Sequence, residues 1–131
     1  ILLKESPKKL MIQADPEQIT IVLENLLNNA RRFSDEGSNP VEVKINEYEN
    51  KAVLSVRDHG IGIPADELTM IFEPFYQIDK SRIRDSNHYG LGLNLCKSIA
   101  EAHNGSIRVE SVEGSGSTFH FEIPCYSKLS D

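Results

Sequence analysis

Apolar residues recur at the spacing of an α-helix between Ile19 and Phe33, and this run constrains the fold more than any other feature of the sequence. Its members are Ile19, Val22, Leu23, Leu26, Leu27, Ala30 and Phe33. Asp15, which precedes this run, is a residue type that caps a helix N-terminus. Pro16 is a residue type that occupies a first helical turn. A helix with one apolar stripe buries that stripe against another layer of structure. The sequence therefore predicts a long amphipathic helix packed on a sheet.

Segments with alternating apolar and polar residues are predicted to form that sheet. Residues 41–49 alternate around Val43 and Ile45, and residues 52–57 are the returning strand of a hairpin. The other predicted elements are a strand at 10–14, a short helix at 65–71, a long loop at 73–89, a helix from Leu91 to Ala102, and a hairpin of 107–112 with 117–123. Because strands and helices are mixed without a strict β-α-β alternation, the predicted fold is α+β, a two-layer sandwich. At 131 residues the chain is predicted to form one domain, residues 1–131.

The charge and hydropathy of the chain exclude several classes of partner. The formal net charge is -6, so the surface as a whole repels nucleic acid and anionic lipid. No segment approaches the roughly 20 apolar residues of a membrane span, and the first residues do not form a secretory signal. We therefore expect a cytoplasmic domain without nucleic-acid or membrane contact, although its parent protein can itself be a membrane sensor. A polyanionic ligand must then be held by local features such as helix N-termini or a metal ion.

Three polar residues of the first predicted helix lie beside its apolar stripe. At 100° per residue, Asn25, Asn29 and Arg32 fall within about 60° of one another, roughly 110° from the centre of the stripe. An amide oxygen suits a magnesium ion that phosphates have already neutralised, and an arginine one turn on can contact the same phosphates. The alternative is that these are merely solvent-facing polar residues. The pattern is compatible with a metal–phosphate site at this helix edge.

A second polar group stands at the end of the returning strand of the hairpin. Asp58 opens the segment Asp58-His59-Gly60-Ile61-Gly62-Ile63-Pro64. A carboxylate accepts hydrogen bonds and donates none, so facing a purine it favours the adenine N6 amine and rejects the guanine O6 acceptor. The two glycines permit close approach of the backbone to a flat ring. The alternative is a plain glycine turn with a capping aspartate.

The second long helix opens on a glycine-rich segment, Gly90-Leu91-Gly92-Leu93-Asn94. Free backbone N–H groups at a helix N-terminus, together with the positive end of the helix dipole, bind anions. The same glycines also suit a simple hinge between loop and helix. The segment is therefore a candidate phosphate site.

The long loop before this helix carries aromatic and basic residues. Phe72, Phe75 and Tyr76 stand near its start, where they either anchor a lid or fill the core. The basic residues further along are Lys80, Arg82 and Arg84. They either place positive charge on such a lid or form a solvated cluster.

In their order and spacing, these segments resemble the ATPase domain of sensor histidine kinases, within the superfamily shared with DNA gyrase, Hsp90 and MutL. The matching segments are the N box at 21–34, the first glycine box at 58–63, the F box at 71–76, the second glycine box at 90–93, and a closing strand pair at 114–124. The resemblance covers essentially the whole chain. It implies the Bergerat fold: a mixed, mostly antiparallel sheet with helices on one face and ATP held between the helices and a lid.

The resemblance also implies a set of binding residues, with ATP and Mg2+ as cofactors. The implied ATP-binding residues are Asn25, Asn29, Arg32, Phe33, Asp58, Gly60, Gly62, Ile63, Phe75, Tyr76, Lys80, Gly90, Leu91, Gly92, Leu93 and Thr118. On the first helix, Asn29, with Asn25 beside it, is implied to coordinate magnesium, and the other two residues are implied to approach the phosphates. Those in 58–63 read and shape the base, those in 75–93 form the lid and contact the phosphates, and Thr118 lies near adenine.

By the same resemblance, the domain donates the γ-phosphate of Mg-ATP to a histidine on separate dimerisation helices, and a response regulator acts downstream. The sequence has no helical phosphoacceptor segment, so the domain is not expected to autophosphorylate alone, and no catalytic base is assigned. Two departures from the family pattern affect the lid. Gln77 stands where many relatives have an arginine that contacts the terminal phosphate, and His88-Tyr89 replaces a Gly-Thr pair.

Two other functions compete with this one. An ATP-hydrolysing clamp like gyrase or Hsp90 has a glutamate one helical turn before the magnesium asparagine, but that position is Asn25, whose amide is not a base at neutral pH. A nucleotide-binding scaffold with little activity is the second alternative. Gln77 and His88 favour the scaffold, whereas Asn29 and Asp58 oppose it.

Overall fold

The computed structural model describes residues 2–4, 10–34, 39–76 and 92–127. Its strands are β1 (Leu2–Lys4), β2 (Leu10–Ile12), β3 (Glu42–Tyr48), β4 (Lys51–Arg57), β5 (Ser106–Val112) and β6 (Gly116–Ser127). Its helices are α1 (Pro16–Phe33), a 3-10 helix (Ala65–Glu67) and α2 (Gly92–Ala102). The Asp15 side chain accepts a hydrogen bond from Glu17 N at 2.9 Å, which confirms the predicted N-cap of α1.

The strands in the described ranges form one six-stranded sheet. It runs β1-β3-β4-β6-β2, and β5 also pairs with the long strand β6. β1 is parallel to β3, and every other pairing is antiparallel. β6 pairs through residues 116–122 with β5 and through residues 125–127 with β2. With its 12 residues, β6 is long enough to pair with β2, β4 and β5.

The core lies between one face of this sheet and the two α-helices. From α1 and α2 it takes Val22, Leu26, Ala30, Phe33, Leu93, Cys96, Ile99 and Ala100. From the sheet and its loops it takes Val43, Val56, Ile63, Ile71, Phe119, Phe121 and Ile123. Burying one such large side chain contributes about 1.5–3 kcal/mol, so this layer contact is the main stabilising term. The predicted two-layer α+β sandwich, with helices on one face of a mostly antiparallel sheet, is confirmed.

The segment after Pro64 differs from the prediction of a short helix at 65–71. Only Ala65–Glu67 is helical, in the 3-10 form, and turns follow it. Successive i to i+3 hydrogen bonds, such as Met70 N to Glu67 O at 2.9 Å and Glu73 N to Met70 O at 3.0 Å, replace the i to i+4 bonds of an α-helix. The predicted loop at 73–89 lies mostly outside the described residues. Neither α-helix in the described ranges has the length and apolar character of a membrane span.

Candidate functional site

Asn29 is the most deeply buried of the asparagines on α1. Its relative exposure is 2%, and no described residue accepts a hydrogen bond from its Nδ2 atom. Asn28, one residue earlier, is exposed. Asn25 is half-buried and donates its Nδ2 hydrogen to the Ile21 carbonyl oxygen at 2.9 Å, within its own helix. Of the predicted amides, Asn29 therefore has the polar atom that still needs a partner.

The C-terminal end of α1 holds the first glycine box against the helix. The Phe33 carbonyl oxygen accepts a hydrogen bond from Ile61 N at 3.0 Å. The Phe33 ring is 2% exposed and belongs to the core, with the Arg32 guanidinium 5.5 Å from its centroid. The resemblance implied that Phe33 approaches the phosphates, but the structure gives its side chain a packing position and its backbone the contact with the glycine box.

Asp58 is a buried carboxylate at the end of β4. Its backbone N donates to Ser117 O at 2.9 Å, and its Oδ1 accepts from Gly60 N at 3.0 Å. The side chain is 1% exposed, and no described residue donates to Oδ2 with hydrogen-bond geometry. Burial raises the pKa of the Asp58 carboxyl, although the backbone N–H groups of Gly60 and Ser117 and the nearby His59 partly offset this. One carboxylate oxygen is thus left to accept a hydrogen bond from a ligand.

The glycines of the first box are required for a different reason from the one the sequence suggested. A Cβ atom at Gly60 would lie 1.8 Å from the Phe33 carbonyl oxygen, and one at Gly62 would lie 2.3 Å from the Val112 carbonyl oxygen. Gly62 also has a φ of +71°. The missing side chains make room for neighbouring backbone in the protein itself. The loop is consequently clamped between α1 and the β5–β6 hairpin, with Ile63 only 1% exposed.

Gly60→Ala is expected to lower the free energy of unfolding by about 3 kcal/mol, because the added methyl group overlaps a backbone carbonyl that cannot rotate away. Chemical denaturation followed by circular dichroism measures the change. Gly114→Ala is the matched control: its Cβ would meet nothing within 4 Å, and its φ of +88° costs about 1–2 kcal/mol. A Gly60→Ala variant at least as stable as Gly114→Ala would contradict the clamp.

The F box is tied to the rest of the domain by two of its three aromatic residues. The Phe72 ring packs edge-on against Phe119 with centroids 6.3 Å apart. The Tyr76 hydroxyl donates to Glu67 Oε1 at 2.6 Å, and this acceptor raises the pKa of Tyr76 to about 12. Phe75, in contrast, is 73% exposed and has a positive φ of 65°. Phe72 and Tyr76 therefore fix the segment, and Phe75 presents its ring to solvent.

α2 begins at Gly92 and is joined to the F box. Asn94 Nδ2 donates to the Phe72 carbonyl oxygen at 3.0 Å, and Leu93 is buried in the core. The described part of the second glycine box, Gly92 and Leu93, is thus held in place at the N-terminus of α2. The predicted site residues Lys80, Gly90 and Leu91, together with the departures at Gln77 and His88-Tyr89, lie outside the described residues.

The placement of Thr118 near adenine is corrected by the structure. Phe119 and Phe121 of β6 point into the core, so strand alternation directs Thr118 to the opposite face of the sheet. There it lines, together with His120 and Glu122, an open cavity with a volume of about 560 Å³. Its neighbour Ser117 is 2% exposed, and its carbonyl accepts the Asp58 N–H. Ser117 is therefore the hydroxyl residue of β6 beside Asp58.

Three polar residues of this region were not singled out from the sequence. Ser117 was detectable, because the alternation of Phe119, Phe121 and Ile123 assigns odd-numbered residues of this strand to the inner face. Ser111 was detectable in the same way from the alternation of Ile107 and Val109, whereas Asn94 had no comparable signal. Their contacts join segments that are distant in sequence, and such pairings are defined only by the tertiary structure.

Residues 14–127 match the family model described as "Histidine kinase-, DNA gyrase B-, and HSP90-like ATPase". The chain belongs to this family. The match includes α1 with its asparagines, Asp58 with its glycine box, and the N-terminus of α2. The protein is thus an ATP-binding domain of the histidine kinase type, as the resemblance implied.

The relatives of this ATPase domain are sensor kinases. It is 38% identical over 125 residues to the sensor histidine kinase WalK of Bacillus subtilis (strain 168), covering 95% of this chain and 20% of the relative. It is 40% identical over 126 residues to a sensor protein kinase WalK of Staphylococcus aureus, covering 94% of this chain and 30% of the relative. The chain therefore spans only a fifth to a third of the length of these relatives.

Solved structures with the same fold include histidine kinases. The mycobacterial sensor histidine kinase MprB superposes with a TM-score of 0.82 at 25% identity, covering 96% of this chain and 84% of that one. The nucleotide-free catalytic domain of histidine kinase ThkA gives 0.77 at 31% identity, with 94% and 78% covered. Full-length ShkA in complex with AMPPNP gives 0.80 at 26% identity, with 98% and 26% covered. The histidine kinase ATPase domain accounts for the fold of nearly the whole chain.

Proposed function

We propose that this domain binds Mg-ATP and transfers the γ-phosphate to a histidine on a separate dimerisation and phosphoacceptor domain in two-component signalling. The observation that carries the proposal is the Oδ2 atom of Asp58, a buried acceptor with no donor among the described residues. In a family of ATPases, the adenine N6 amine is the donor that suits it. ShkA, a structural neighbour, was solved in complex with AMPPNP, which supports a nucleotide in this fold.

Other residues fit the remaining parts of the ligand. The buried amide of Asn29 would hold Mg2+ through its oxygen, and its Nδ2, a donor with no acceptor among the described residues, suits a phosphate oxygen. When bound, the metal would supply positive charge that neutralises the charge developing during transfer. We assign Asn25 and Arg32 to the same helix edge, and the N-terminus of α2 at Gly92 to the phosphates.

The kinase function is favoured over an ATP-hydrolysing clamp by the residue at position 25. Asn25 donates to the Ile21 carbonyl oxygen and has no group that can take a proton from water at neutral pH. Catalysis by this domain then rests on positioning and charge neutralisation. The phosphoacceptor helices of the parent protein are its first partner and a response regulator the second. We place the domain on the cytoplasmic side of a membrane sensor.

Isothermal titration is expected to show tight binding of ATP and ADP and much weaker binding of GTP, each with Mg2+ present. With γ-labelled ATP, the domain alone should remain unlabelled, whereas an added histidine-bearing dimerisation domain, such as that of a WalK relative, should acquire acid-labile label. Absence of ATP binding would leave only a scaffold role. Rapid appearance of label as inorganic phosphate without the added domain would instead support the clamp.

A further inference from the structure

Ser111 lies near the end of β5 and connects this strand with the first glycine box and with the start of β6, beside the place proposed for the base. It lies opposite Ser117 in the β5–β6 pairing. Its Oγ accepts a hydrogen bond from Ile63 N at 2.8 Å, lies 3.0 Å from the Gly116 carbonyl oxygen, and lies 2.8 Å from Ser117 Oγ. The half-buried hydroxyl of Ser111 thus links the first glycine box to the β5–β6 hairpin. The other strand of this hairpin, β6, accepts the Asp58 N–H through the Ser117 carbonyl oxygen.

The hydrogen count of a hydroxyl determines the direction of these contacts. A serine Oγ has one hydrogen and two lone pairs. The Ile63 N–H uses one lone pair of Ser111, and its single hydrogen goes to the Gly116 carbonyl oxygen. The third contact is then a hydrogen bond only if Ser117 is the donor. All three contacts of Ser111 are satisfied together in this arrangement, and the Ser117 hydrogen is used up by it.

The state of Asp58 agrees with this assignment. Ser117 lies next to Asp58, because its carbonyl accepts the Asp58 N–H at 2.9 Å. Even so, Asp58 Oδ2 receives no hydrogen bond from any described residue, the Ser117 hydroxyl included. Asp58 therefore does not compete with Ser111 for the hydrogen of the Ser117 hydroxyl.

We propose that Ser111 is a positioning residue that selects adenine over guanine by holding Ser117 as a hydrogen-bond acceptor. This proposal rests on the proposed function, in which Asp58 receives the base. With Ser111 in place, both Asp58 Oδ2 and Ser117 Oγ offer lone pairs, and the adenine N6 amine carries two hydrogens. Guanine presents its O6 acceptor instead and meets two acceptors. Without Ser111, the Ser117 hydroxyl can rotate and donate to O6.

Ser111→Ala is expected to lower the ratio of the GTP dissociation constant to the ATP dissociation constant by about three- to tenfold. Ser111→Thr keeps the hydroxyl and should retain the wild-type ratio. Ser106→Ala removes an exposed hydroxyl from the same strand, where it donates to Glu122, and is the matched control. If Ser111 had only a structural role, Ser111→Ala would weaken the binding of both nucleotides equally. An unchanged ratio would therefore overturn the proposal.

A double-mutant cycle tests the route through Ser117. In a Ser117→Ala background, Ser111→Ala should no longer change the ratio, since no hydroxyl remains to be turned; a change as large as in the wild type would refute the route. If Ser111→Ala does not fold, Ser111→Cys, which keeps the shape but bonds weakly, takes its place. Titration of the wild-type domain separates the two proposals. If it binds no ATP, the proposed function fails; if it prefers ATP and Ser111→Ala prefers it equally, only the role of Ser111 fails.

Discussion

Asp58→Asn is expected to weaken ATP binding by about 1–3 kcal/mol, a factor of roughly 5 to 150 in the dissociation constant. The carboxylate offers two acceptor oxygens, of which one already takes the Gly60 N–H and the other has no donor among the described residues. Asparagine replaces one of these oxygens with an NH2 group. If the oxygen stays with Gly60, the NH2 faces the adenine amine, and two donors then oppose each other in a buried position. Isothermal titration with ATP and ADP measures the loss.

The same carboxylate gives the binding a predictable pH dependence. Burial raises the pKa of Asp58 in the free domain, whereas a hydrogen bond from the base stabilises the charged form and lowers the pKa in the complex. ATP affinity should therefore be highest above the free-domain pKa and fall as the pH drops below it. Asp58→Asn removes this titration. The variant should consequently show a flatter profile of affinity against pH than the wild type.

Asp66→Asn is the control for both measurements, because it makes the same substitution at an exposed position of the 3-10 helix. It should bind ATP as the wild type does. An Asp58→Asn variant with an unchanged dissociation constant, or with an unchanged pH profile, would contradict the assignment of Asp58 to the base.

The sequence predicted those parts of the fold that local signals determine. α1 begins at Pro16, as its cap indicated, because N-capping acts within a few residues, and it ends at Phe33, before the predicted end near Gly37. The hairpin of β3 and β4 follows from alternation around Glu49-Asn50, both of which adopt the positive φ that such a turn requires. Two packed layers then follow, since each element has only one apolar face to bury.

Features that depend on distant partners were not predictable in the same way. β1 has three residues and no periodicity, and it is stabilised by parallel pairing with β3. The segment after Pro64 forms 3-10 turns, and Leu68 and Ile71, three residues apart, both pack toward the core. In the candidate site, the residue types at Asn29 and Asp58 suggested their chemistry. The contribution of Ser111 required the position of the glycine box against the hairpin, which no local pattern encodes.

Asn29→Asp is expected to reduce phosphotransfer to an added histidine domain by about 100-fold and to weaken ATP binding, most strongly when Mg2+ is absent. Asn29 is 2% exposed, and its Nδ2 has no acceptor among the described residues. An aspartate there brings a negative charge to the place proposed for the phosphates, and it has no hydrogen to offer them. Labelling with γ-labelled ATP measures the first effect, and titration with ATP in Mg2+ and in a chelator measures the second.

Asn28→Asp provides a matched control, because it adds the same charge to the same helix at an exposed position one residue away. Its affinity and transfer rate should stay within about twofold of the wild type, since a solvent-exposed charge is screened. Thermal unfolding of both variants separates an effect on the site from a loss of folding. If folded Asn29→Asp bound ATP without Mg2+ and transferred phosphate as well as Asn28→Asp, the phosphates could not lie beside position 29, and the proposed metal–phosphate site on α1 would be wrong.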